Sequence, residues 1–473
     1  MISTSHLCSN RRDFLRRSTA SLLATVPVMN TLLNLKASAA LIPEPNDYRA
    51  LVCVFLHGGY DSYNVLVPTS STEYADYRAT RSNLALPATG TGAVLPLTVA
   101  NTPGRTFGVH PGLPRVRGLF NSGKLAFLSN VGALVEPSTV SEFWNQSTNG
   151  KRYPLALFSH SDQTQHWQTS IPQSRTGIVG WAGRMADMLN AATNNSALAM
   201  NISLAGYNMM QVGEDTTFFS MNADGPQRLT GDGNSSGRFR VQNDALRDLC
   251  SQTHRNLYEQ AFADQVKDSI DLSRAFGDAW NNSQVTTSFA TNNSLAQNLR
   301  SIAKTIGARQ ALGVKRQVFF VVYGGWDHHQ ELLANQAYML PQLDAAFQGF
   351  HDALVELGVW NNVVTFTSSE FARTLRSNGR GTDHAWGGNH MIMGGPVDGG
   401  KIYGQYPIIR FNSPRDIGGG GLLLPTTSCD EYFAELISWF GVPISELSTI
   451  LPNLTNFYSP SLSARPIGFI PNI

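Results

Sequence analysis

Six side chains of metal-ligand type stand in or beside glycine-rich turns of this sequence: Asp61, Asp327, His329, Asp383, His384 and His390. Carboxylate oxygens mixed with imidazole nitrogens suit divalent ions, zinc or manganese first and calcium or magnesium after them. Two such ions about 3.5–4 Å apart form the clamp that hydrolyses phosphate esters. Asp327 lies in Gly324-Gly325-Trp326-Asp327-His328-His329, and Asp61 in His57-Gly58-Gly59-Tyr60-Asp61-Ser62. In both places an apolar run precedes paired glycines, which let the backbone turn tightly and present a carboxylate over a sheet edge. One Asp-His dipeptide is usually a turn with a solvated imidazole. Six such residues at the ends of successive expected strands make metal chemistry the expectation.

The elements that must position these groups are legible as pattern. Residues 318–323 form a near-continuous β-branched and aromatic run, as a strand buried on both faces does. From about Leu333, the apolar positions Leu343, Phe347, Phe350, Leu354 and Leu357 mark one face of a helix ending near Gly358. Residues 363–367 again read as strand. Strand, helix and strand at this length form a βαβ unit, so the two strands are parallel and Asp327 and Glu370 emerge on the same edge. Ligands in open α/β sheets bind at that carboxyl edge. Residues 50–56 and 125–131 read as further buried strands, and Ser161 and Asp162 as helix N-caps. A Thr/Gly/Pro-rich stretch near 87–106 reads as loop. About 185–312 reads as a helical insertion or lid, with a stripe at Leu295, Leu299, Ile302 and Ile306, and Asp430 to Phe440 as a last amphipathic helix.

At 473 residues the chain can bury a large core, and the expected architecture is one doubly wound α/β domain over 41–473 with a mostly parallel sheet. Lys plus Arg number 35 against 34 Asp plus Glu, a balance that gives no footprint for nucleic acid or an anionic membrane. Residues 1–40 read as a twin-arginine export signal: Arg11-Arg12 before Phe14-Leu15, a moderately apolar run, then Ala37-Ser38-Ala39. The expected partner during export is the twin-arginine translocase, and the expected location is the periplasm or the exterior. No other stretch approaches the ~20 apolar residues that span a bilayer. Of the four cysteines Cys8 leaves with the signal, Cys53 lies in an apolar strand, and Cys250 and Cys429 have no spacing that either requires or excludes a pair.

LVCVFLHGGYDSYNVLVP at 51–68, SHSDQTQHWQ at 159–168, GGWDHHQ at 324–330, SEFART at 369–374, GTDH at 381–384 and GGPVDGGKIYG at 394–404 resemble the exported bacterial family called domain of unknown function 1501. The resemblance covers essentially the whole mature chain. That family in turn resembles the alkaline phosphatase and sulfatase superfamily, a doubly wound α/β fold with two metal sites. The resemblance implies one ion at Asp61, Asp383 and His384, a second at Asp327, His329 and His390, and hydrolysis of a small-molecule phosphate or sulfate ester. The superfamily begins a helix after an early strand with a Ser, Thr or formyl-modified nucleophile. Here the first choice for that role is Ser159 and the second is Ser62. His160 is a further ligand or a general acid. Arg373 either clamps an anionic oxygen pair or forms a helix-start salt bridge with Glu370. Ala372 and Ala385 replace glycines of the usual Ser-Glu-Phe-Gly-Arg and Asp-His-Gly, a step small enough for the geometry to survive.

Two other classes compete. His57-Gly58-Gly59 and Gly233-Asn234-Ser235-Ser236-Gly237 formally suit an α/β-hydrolase esterase, but the second motif has neither a strand before it nor a helix after it. The other is an exported, metal-stabilised binding or assembly protein without turnover, which the ambiguous nucleophile favours.

Overall fold

The computed structural model describes residues 47–194, 198–232, 236–459 and 465–471. The export signal, Cys8 and residues 233–235 of the esterase-like motif lie outside the described residues.

Ten strands build the central sheet: β1 (Arg49–Phe55), β2 (Leu125–Gly132), β3 (Asn201–Ser203), β4 (Phe219–Asn222), β5 (Gly225–Pro226), β6 (Arg316–Val322), β7 (Val363–Ser368), β8 (Gly388–Gly394), β9 (Ile402–Gly404) and β10 (Thr427–Ser428). Their order is β9-β2-β8-β7-β1-β6-β3-β4-β5, with β10 also paired to β2. Parallel pairing joins β7, β1, β6, β3 and β4, while β8 runs antiparallel between β7 and β2. The protein is thus a mixed α/β fold on a large, mostly parallel sheet. Three strands of the stretch expected as a helical insertion, β3, β4 and β5, extend this sheet. A separate three-stranded sheet pairs Leu66–Pro68, Phe107–Val109 and Leu95–Pro96, so the stretch near 87–106 is not loop throughout.

Strand alternation explains why both faces are covered. Ala50, Val52 and Val54 enter one core with Leu295, Leu299, Ile302 and Ile306 of α7 (Ser294–Gly307) and the apolar face of α8 (Leu332–Glu356). Leu51, Cys53 and Phe55 enter the other, against α4 (Trp181–Thr193) and α9 (Cys429–Phe440). Five further helices are α1 (Ser71–Arg81), α2 (Pro114–Asn121), α3 (His160–Thr169) and the pair α5 (Arg238–Cys250) with α6 (Leu257–Asn282). Among the described residues no helix is long and apolar enough to cross a membrane. Cys53, Cys250 and Cys429 are free and buried, so Cys250 and Cys429 do not pair.

The registers place three strand ends level. Phe55 stands opposite Ser368 of β7 and Val322 of β6. The loops leaving them, 56–61, 323–331 and 369–375, therefore rise side by side from one edge. Gly58 is required there: at φ 122° its added Cβ would stand 2.5 Å from the Asp327 backbone nitrogen. The two glycine-pair loops lie against each other.

Candidate metal centre

At that edge three imidazoles and one carboxylate converge. His160 is the first residue of α3, so the helix start carries it to the edge. Asp327 and His329 come from the loop after β6, and His384 from the loop before β8. Ligand atoms of His160, Asp327 and His384 all lie within 4.8 Å of one another. His329 Nε2 is 3.0 Å from His384 Nε2 and 3.1 Å from Asp327 Oδ1. His384 Nε2 and His160 Nε2 stand 3.4 and 3.6 Å from the same oxygen.

The opposite nitrogen of each ring is held by an oxygen. His160 Nδ1 lies 2.8 Å from Glu370 Oε1, His329 Nδ1 3.0 Å from Asp383 Oδ1, and His384 Nδ1 2.7 Å from the Phe158 carbonyl. Such acceptors fix the tautomer with the proton on Nδ1, leaving three Nε2 lone pairs aimed at one space beside an aspartate. Burial lowers the His384 pKa, which favours the neutral ligand form. Burial pushes Asp327 upward, but the hydrogen bond and charge of Arg373, with His329 and His160, outweigh it and hold the carboxylate below its usual range. His160, His384 and Asp327 stand close enough to share one divalent ion, and His329 abuts two of them, His384 and Asp327, as a candidate fourth ligand.

Glu370 is the residue the sequence underrated. It is fully buried, accepts from the Gly58 N–H at 2.8 Å, and stands 3.9 Å from the half-exposed His57. Its place at the end of β7 was readable, whereas its pairing with the histidines depends on α3, which local pattern does not position.

Other expected residues lie elsewhere. Asp61 is fully buried and paired with Arg81 Nη2 at 2.5 Å. His390 is on β8, between Trp167 and Tyr432, and complete burial pushes its pKa down to about 3. Neither joins the cluster, so the two three-residue sets implied by the resemblance are not the grouping the fold produces. Asp383 touches the cluster only by holding His329. The guanidinium of Arg373 is buried and donates to the carbonyls of Gly58, Gly59, Thr382 and Trp326 and to Asp327, so its partners lie in the glycine-pair loops and at Thr382, not on Glu370. Ser159 is the N-cap of α3, in place of Ser161 or Asp162. Its Oγ accepts from the Asp162 N–H and donates to Asp162 Oδ2 at 2.6 Å. Ser62 is buried, with its Oγ accepting from the Asn389 N–H.

Fold and site together define an α/β protein with a cluster of metal-binding residue types at the carboxyl edge of its sheet. The chain belongs to the family described as "Protein of unknown function (DUF1501)", whose model matches residues 48–434. No curated protein matches it. Solved structures similar to it include the PsFucS1 sulfatase from Pseudoalteromonas sp., at 9% identity over 88% of this chain and 72% of that one with a TM-score of 0.36. Another is a protein in the alkaline phosphatase superfamily from Vibrio parahaemolyticus, at 11% identity, 87% and 74% coverage and a TM-score of 0.33. The Streptococcus pyogenes phosphoglycerol transferase GacH matches at 9% identity, 94% and 88% coverage and a TM-score of 0.33. At such scores these likenesses carry no weight for the chemistry of this chain.

Proposed function

We propose that the protein is an exported hydrolase of small phosphate or sulfate esters that works with one divalent ion, zinc or manganese, held by His160, His329, His384 and Asp327. The observation that carries this reading is the set of three Nδ1 atoms each bonded to an oxygen, with the three Nε2 atoms facing Asp327. A bound divalent ion would polarise the ester and lower the pKa of water. Glu370 keeps His160 turned inward, and Asp383 and the Phe158 carbonyl do the same for His329 and His384. His57, next to His160 and half exposed, is the group suited to protonating the leaving oxygen. Water is the attacking group, since the Ser159 and Ser62 hydroxyls are held in local hydrogen bonds. Each of the two expected ligand sets loses a member, because Arg81 neutralises Asp61 of the first and aromatic rings enclose His390 of the second, so one ion is proposed in place of two.

Those engaged hydroxyls also favour the second reading, a metal-stabilised binding or assembly protein without turnover. Metal analysis of protein purified from its own compartment, with hydrolysis of 4-nitrophenyl phosphate and 4-nitrophenyl sulfate before and after chelation, separates the two. The hydrolase reading expects about one ion per chain and turnover that chelation abolishes and metal restores. Stoichiometric metal without turnover of either ester supports the second reading, and protein that binds no metal sinks both. Export rests on Arg11-Arg12: replacing both by lysine should hold the precursor in the cytoplasm, and unchanged export would reject that route.

A further inference from the structure

We infer that an apolar groove of about 530 Å³, joined to the His384 loop through Phe158, receives the organic part of the ester, and that this part is an aryl group. The inference rests on the hydrolase reading and names the substrate class it leaves open. Phe143, Trp144, Phe158, Ile417 and Leu422 supply the walls, with Gln146 and Ser147 as its polar members. No charged side chain lines the groove, so it suits a neutral, flat, apolar group and leaves the anionic head to the histidines. Trp144 is 65% exposed, its ring edge-on to the nearly buried Phe143 at 5.4 Å. An indole kept open over a packed aromatic is a ready stacking surface.

The groove is joined to the centre twice. Phe158 lines it with its side chain while its carbonyl holds His384 Nδ1 at 2.7 Å. Trp386, two residues beyond His384, packs under Phe143 at 5.7 Å between ring centroids. Phe143, Trp386 and Ile417 belong to a small apolar cluster apart from the two cores that flank the sheet. The packing that floors the groove therefore also sets the His384 loop. Phe158 has φ 72°, and Ala156 before it φ 45°. A bulky residue rarely adopts that conformation, and such strain collects at ligand sites. Here it lets one residue face the groove with its ring and the centre with its carbonyl.

The test uses zinc-loaded full-length mature protein and compares phenylphosphonate with methylphosphonate by calorimetry. Wild type should bind the phenyl compound about tenfold more tightly, one well-buried ring being worth roughly that much. Trp144→Ala should remove most of this preference without changing methylphosphonate affinity, and Trp144→Phe should restore it. Equal affinities in wild type, or a preference that survives Trp144→Ala, would overturn the inference. Binding of neither phosphonate would instead count against the hydrolase reading. Saturation-transfer NMR with 4-nitrophenol on chelator-treated protein then decides the groove alone. Transfer that Trp144→Ala abolishes upholds it, and no transfer in wild type overturns it.

Discussion

Asp61 and Asp327 follow the same local sequence, a buried strand, two glycines, an aromatic residue and the carboxylate, yet reach opposite environments. Asp61 is wholly enclosed and paired with Arg81, which also bonds Asn64 Oδ1 and the Thr374 carbonyl. Asp327 also meets a guanidinium, that of Arg373, but is half exposed and faces three imidazoles. The difference lies in what arrives from afar: the end of α1 brings an arginine to the first loop, while α3 and the loop before β8 bring histidines to the second. Local sequence decides where a carboxylate leaves the sheet. Distant elements decide whether it becomes a structural ion pair or a ligand.

The largest expected effect breaks the structural half of this comparison. Arg81→Met would leave a fully buried carboxylate without its partner, at a cost of about 3–5 kcal/mol. Urea unfolding should show that loss while the folded protein keeps its metal. A loss under about 0.5 kcal/mol would mean that Asp61 does not need Arg81.

Asp430 sharpens the comparison as a buried carboxylate without a direct cationic partner. Burial dominates its environment, and a hydrogen bond from Ser170 and the charge of the more distant Arg184 offset it only in part, so its pKa is pushed up to about 7. A raised carboxyl pKa means the folded chain holds the proton. This contribution to stability is full below about pH 4 and is lost as pH rises through about 7, a change on the order of 4 kcal/mol. Asp430→Asn should flatten part of the decline in unfolding free energy across that window, with Glu431, also pushed up to about 7, and the raised Glu435 supplying the rest. An unaltered slope would contradict the assignment.

The other half of the comparison concerns metal. In the proposed site Asp383 holds His329 Nδ1, so Asp383→Asn should weaken zinc binding about 10–100-fold and still allow full occupancy at high zinc. Zinc competition with a chromophoric chelator measures this, and complete loss of binding would make Asp383 a direct ligand. Smallest of all is the expected result at His390: His390→Ala should leave zinc affinity unchanged, although the cavity it opens lowers stability.

The strands and the carboxyl edge were legible because they rest on local pattern. The run at 318–323 and the four-position stripe at Leu295, Leu299, Ile302 and Ile306 are set by neighbours in sequence. Asp327, His329 and His384 were each readable as residues of strand ends and short loops, although the resemblance assigned His384 to a different ion from the other two. The grouping of ligands was not legible. His160 reaches the centre because α3 crosses the sheet edge, and Arg81 reaches Asp61 from 20 residues away. The short strand β3 was hidden in a polar stretch because Asn201 and Ser203 are buried polar residues without the apolar run of a core strand.

Anomalous diffraction at the zinc edge from crystals of the zinc-loaded protein tests the central claim most directly. One peak is expected about 2.0–2.2 Å from His160 Nε2, His329 Nε2, His384 Nε2 and an oxygen of Asp327, with none at Asp61 or His390. A peak coordinated by Asp61 or His390, or none among the three histidines, would contradict that claim.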